Sequence, residues 1–115
     1  MKEEIYYCRD SQKRPLITVC LLKDEDGNVA RGVSICSPRD NPSKAEGRML
    51  AVGRAHEAMG LRCNKSFMNR KEVTGWTGVL RATGTTFTFG NHPLYKINFN
   101  PTLSEFEQKL LRCES

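Results

Sequence analysis

The chain opens in a β-like pattern and then changes period. Ile5–Cys8 has the makings of a short strand, Pro15–Lys23 (PLITVCLLK) is rich in β-formers, and Asn28–Cys36 (NVARGVSIC) alternates. Between the last two, Asp24-Glu25-Asp26-Gly27-Asn28 is a turn, so the pair is expected to form a hairpin. Alternation puts Val29, Arg31, Val33 and Ile35 on one face, and Ala30, Gly32, Ser34 and Cys36 on the other. A face made of small residues admits a close neighbour, most simply a helix.

A helix is expected next. Ser43-x-x-Glu46 has capping-box spacing, with Asn41 before Pro42 as the alternative cap, and Gly60 is the expected stop after Met59. On the helical wheel Ala45, Met49, Val52, His56 and Met59 form one stripe. Gly47, Ala51, Ala55 and Ala58 form a second stripe of small residues roughly opposite. Two faces without large polar groups imply contact on both sides, and the small stripe is the expected contact of a homo-oligomer. Gly47 and Gly53 each cost a helix interior about 1 kcal/mol relative to Ala, so a close backbone approach is expected to compensate.

Leu61–Glu72 is polar and basic and is taken as a connector. Val73–Leu80, Thr85–Phe89 and Leu94–Phe99 are short strand candidates, the last ended by Asn100-Pro101. Thr102-x-x-Glu105 then starts a final helix with Leu103, Phe106, Leu110 and Cys113 on one face. The expectation is a single α+β domain over residues 1–115, an antiparallel sheet of about five to six strands with two helices in βββα-βββα order. The strings Asn41-Pro42-Ser43-x-x-Glu46 and Asn100-Pro101-Thr102-x-x-Glu105 are read as two helices converging on the same capping chemistry.

Charge changes this picture more than composition does. The net charge is +5, and residues 41–81 alone hold eight basic side chains (Lys44, Arg48, Arg54, Arg62, Lys65, Arg70, Lys71, Arg81) against three acidic ones. Five of the eight are Arg, whose planar fork suits phosphate. This predicts an anion site, with a merely solvated basic face as the alternative. No apolar run approaches the roughly 20 residues of a membrane span, and the acidic start Met1-Lys2-Glu3-Glu4 is unlike a secretory leader. The five cysteines are odd in number and widely spaced, which fits reduced thiols in an intracellular protein.

No catalytic set assembles, so the chain is not expected to be an enzyme. His56 falls on the apolar stripe of the first helix, where a core or interface role is expected, and His92 precedes a proline in a turn. No metal-ligand spacing and no phosphate loop occurs, and neither a metal nor a cofactor is expected. Binding signals are better. Arg48 and Arg54 sit in repeated Gly-Arg steps about 120° apart on the helix, so they would serve two pockets or one pocket at a chain–chain contact. Trp76 could stack a base or fill the core. Arg81, Lys109 and Arg112 are further phosphate candidates.

The stretch from Ser34 to Ala55 resembles the Thoeris anti-defence sponges, small phage-encoded proteins that sequester glycocyclic ADP-ribose signals. The likeness rests on Arg31, Gly32, Pro38, Asp40, Gly47, Arg48, Ala51, Gly53 and Arg54, and it covers about a fifth of the chain. It implies an antiparallel sheet flanked by helices, ligand sites at subunit contacts, and residence in the cytoplasm of a bacterial host. It also implies an Arg and an aromatic group sandwiching a base, and C-terminal basic groups on phosphates. Arg31, Arg48, Arg54, Arg81, Lys109 and Arg112 would then hold phosphate, and Trp76 or Phe87 would stack. The expected ligand is a cyclic nucleotide or an ADP-ribose-derived molecule, bound without turnover. The alternative is a nucleic-acid or nucleoprotein binder, such as an inhibitor of a host nuclease complex; a virion assembly role is a third class.

Overall fold

The computed structural model describes residues 1–9, 15–35, 44–67, 95–101, 103 and 105–112. The elements are β1 (Lys2–Arg9), β2 (Pro15–Lys23), β3 (Val29–Ile35), α1 (Lys44–Leu61), β4 (Lys65–Phe67), β5 (Tyr95–Phe99) and α2 (Glu105–Arg112). The expected strands at Val73–Leu80 and Thr85–Phe89 lie outside the described residues, as do both helix-cap serine and threonine positions, Ser43 and Thr102.

All strand pairs are antiparallel, and the sheet runs β1-β2-β3-β5-β4. The fold is α+β, and β2 and β3 form the expected hairpin about the Asp24–Asn28 turn, with Lys23 opposite Val29. In that turn Asp24 Oδ1 accepts from the Asn28 backbone N–H at 2.7 Å, and Gly27 takes φ of +87°. Asn100 ends β5 at φ of +47°, a left-handed backbone that Asn tolerates well, while its Oδ1 accepts from Val29 N–H at 2.8 Å.

Strand alternation divides the core between the two sheet faces. Tyr6, Ile17, Val19, Leu21, Val29 and Val33 cluster with Leu111 of α2 on one side. Cys20, Leu22, Ala30 and Ile97 cluster with Ala51, Ala55 and Ala58 of α1 on the other. The small face of β3 does receive a helix. A Cβ added to Gly32 would lie 2.0 Å from the Ala51 carbonyl oxygen and 2.3 Å from the Ala55 nitrogen. One turn earlier, a Cβ on Gly47 would meet Thr18 Oγ1 at 2.6 Å. Backbone-to-backbone packing this close is possible because both surfaces lack bulk.

This contact corrects the expected oligomer face. Gly47, Ala51, Ala55 and Ala58 are the stripe that lies on the chain's own sheet, with all three alanines 0% exposed. The larger stripe points outward at Ala45, Met49 and His56, while Val52 and Met59 pack along the flank of the core. Small residues went inward because the opposing sheet is itself small; a methionine at position 51 would have nowhere to go. Gly53, in contrast, has nothing within 4 Å of an added Cβ among the described residues, so none of them compensates its helix cost.

Three boundaries differ from the sequence pattern. α1 continues through Gly60 to Leu61, and the next residue, Arg62, has φ of +56° and donates its N–H to the Ala58 carbonyl at 2.9 Å. The supposed connector contains β4, three residues paired with β5 and too polar and short to show periodicity. Among the described side chains of α2, Glu107 and Leu111 are buried and Leu110 is half-buried, as is Leu103 just before the helix. Leu103 and Leu110 of the expected apolar face do pack on the core, Phe106 and Cys113 lie outside the residues whose side chains are described, and Glu107, which that face omitted, is drawn inward by Arg31.

Candidate functional site

Arg31 is on the inner face of β3, 6% exposed, and cannot leave its charge unmatched there. Its guanidinium forks onto Glu107, Nε donating to Oε2 at 2.8 Å and a second nitrogen donating to Oε1. The Tyr6 hydroxyl donates to the same Oε2 at 2.9 Å. Placing Glu107 inward gives all three groups partners. Arg31, expected to hold phosphate, is therefore a core residue that ties the C-terminal helix to the sheet.

Arg54 is also committed within the chain. Its Nη1 donates to the Val33 carbonyl at 2.7 Å, just past Gly32, where the β3–β5 ladder ends. Arg48, one and a half turns earlier, is exposed and among the described residues forms no ion pair. The two Gly-Arg steps, about 120° apart on the helix, therefore place their arginines in different surroundings. Lys109 and Arg112 are exposed on α2, on the opposite side of the sheet from Arg48. Trp76, Phe87 and Arg81 lie outside the described residues.

Arg48 lines a groove of about 740 Å³ built by α1 and β1. The helix packs mainly over β3 and β2, so β1 extends past its flank and leaves a furrow. Glu3 and Tyr7 form the strand wall, two residues either side of Ile5 on the same face. Lys44, Ala45, Arg48, Met49 and Val52 form the helix wall, at the i, i+4, i+8 spacing of one helical flank. The Lys44 ammonium stands 4.9 Å above the Tyr7 ring, a cation–π contact that fixes the end of the groove at which both sit. Met49 is 69% exposed and makes an apolar rim.

Near the groove, opposite Ile5 in the β1–β2 register, Cys20 is fully buried. Burial foremost, and then the Glu3 charge, push its thiol up to about 12, with Arg48 pulling the other way. Glu3 and Arg48 thus act on one point from the two walls. Among the described residues no group of three or more His, Cys, Asp or Glu side chains could hold a metal ion, and no helix is long and apolar enough to cross a membrane. His56 is exposed on α1 and outside the core.

Sequence reasoning reached Arg48 but missed Lys44, Tyr7 and Glu3. Signals for both walls were present, an i, i+4 basic pair and a period-two strand face, but nothing local joins residue 7 to residue 44. No family model matches the chain, and no curated protein and no solved structure matches it either.

Proposed function

We propose that the chain binds a phosphate-bearing, nucleotide-derived small molecule in the β1–α1 groove and holds it unchanged. The observation that carries this reading is Arg48, an exposed guanidinium without a carboxylate partner among the described residues, one turn from Lys44 and in the same groove as an aromatic ring. A guanidinium and an ammonium at i, i+4 spacing suit the oxygens of one phosphate or of a pyrophosphate, the Arg bidentately. Tyr7 holds the Lys44 ammonium at its ring, and Met49 with Val52 offers an apolar shelf for a base. Lowering the free concentration of a host immune messenger, as the resemblance to phage sponges implies, is the biological form this binding takes.

Thermal-shift screening against cyclic nucleotides and ADP-ribose isomers is the direct test, since ligand at 100 Kd adds about 2.7 kcal/mol. Arg48→Lys keeps the charge and loses the fork, so it should cost roughly 1–3 kcal/mol of binding. Arg54→Lys should leave affinity unchanged, because Arg54 serves the Val33 carbonyl. Equal affinity of the Arg48→Lys protein and its parent would sink the assignment. Ligand recovered intact after heat denaturation supports sequestration, and an altered product refutes it. A loss of at least about 10³ in affinity between 50 and 200 mM salt would point instead to a polynucleotide.

A further inference from the structure

The groove is not uniform along its length. Lys44 lies over Tyr7 at one end; Gly47 sits on Thr18, the partner of Tyr7, while Ala51 sits on Gly32, level with Cys20 and its partner Ile5, so α1 runs opposite to β1. From Tyr7 to Glu3 the strand rises about 13 Å, and from Lys44 to Val52 the helix rises about 12 Å, so the walls match. One end therefore holds an ammonium over an aromatic ring, and the other holds a carboxylate beside the apolar Val52. Charge of opposite sign at the two ends gives any bound anion a direction.

We propose that Glu3 reads the end of the ligand remote from its phosphate, selecting molecules with two adjacent hydrogen-bond donors there. An ionised carboxylate is acceptor-only and offers two oxygens side by side. Its complements among nucleotide-derived molecules are the cis-diol of a ribose and the N1–H with N2–H2 edge of guanine. The same charge disfavours a second phosphate at that end. Glu3 is thus a specificity residue, while Arg48 and Lys44 supply attraction common to every phosphate-bearing ligand. This inference rests on the groove being the binding site.

Titration calorimetry on the full chain with GMP, AMP, their 2′,3′-dideoxy forms and inorganic phosphate separates the two ideas. The parent should bind GMP at least tenfold more tightly than dideoxy-AMP, which keeps the phosphate and lacks both donor pairs. Dideoxy-GMP and AMP then tell whether the base edge or the diol is read. Glu3→Gln should weaken the preferred probe about tenfold, yet leave dideoxy-AMP and phosphate unchanged or bound more tightly, because a like charge is gone. A merely structural role for Glu3 would weaken all probes together; that result, or a preference that survives Glu3→Gln, overturns the inference and leaves the groove intact. If the parent binds none of the probes, or Arg48→Ala binds all of them as the parent does, the groove reading fails and takes this inference with it.

Discussion

Cys20 shows how far a residue's chemistry follows from its surroundings. Its thiol is buried and held neutral, whereas Cys63 is exposed just after α1. Brief alkylation of the native protein followed by peptide mapping should label Cys63 and spare Cys20 until the chain unfolds. The raised ionisation point also has a sign. Folding keeps the Cys20 proton up to about 12, while an ordinary thiol releases it near 9.0. Below pH 9 this contribution to stability is fully present, and it is lost as pH rises from 9 toward 12. Urea unfolding at pH 8 and pH 10.5 should therefore show a smaller drop in stability for Cys20→Ala than for the parent; equal drops would refute it.

At the scale of elements, the α1–sheet contact is the most demanding in the molecule. Gly32→Ala forces a methyl into the backbone of α1 and should cost at least about 3 kcal/mol, read as a fall in Tm. Gly53→Ala sits on the same helix in open space and should instead stabilise by about 1 kcal/mol. Opposite signs for two Gly→Ala changes are the test, because propensity alone predicts no such split. The small stripe was visible as a stripe in the sequence, and so was the small face of β3. That the two meet each other, leaving Met49 outside, was not, because a wheel shows which residues share a face and not what the face touches.

Across the whole molecule, the sheet is covered on both faces, and α2 is joined to it by a buried charge pair 76 residues apart in sequence. Glu107→Gln removes the carboxylate onto which the buried Arg31 guanidinium forks and should cost about 3–5 kcal/mol in urea unfolding. The double variant Arg31→Met with Glu107→Leu should recover most of that loss, since a well-packed apolar pair replaces a desolvated ionic one at little net cost. If the double variant is no more stable than the single one, Arg31 and Glu107 are not coupled as described. Neither partner was legible as such. Arg31 looked like a ligand residue because its type and its matched neighbours suggested one, and Glu107 was not singled out because its helix had a plausible apolar face without it.

What the sequence by itself determined is local. The hairpin about Asp24–Asn28, the small face of β3, the long helix after residue 43 and the end of β5 at Asn100 all follow from period, turn chemistry and capping, which act over a few residues. The α+β architecture follows from their order. Tertiary structure decided what lies far apart in the chain: which helix stripe meets the sheet, which of three arginines faces solvent, and which strand residues stand opposite Arg48. Those choices depend on volumes and charges meeting across the core. Only the folded chain brings Glu3 and Tyr7 within reach of Lys44 and Arg48.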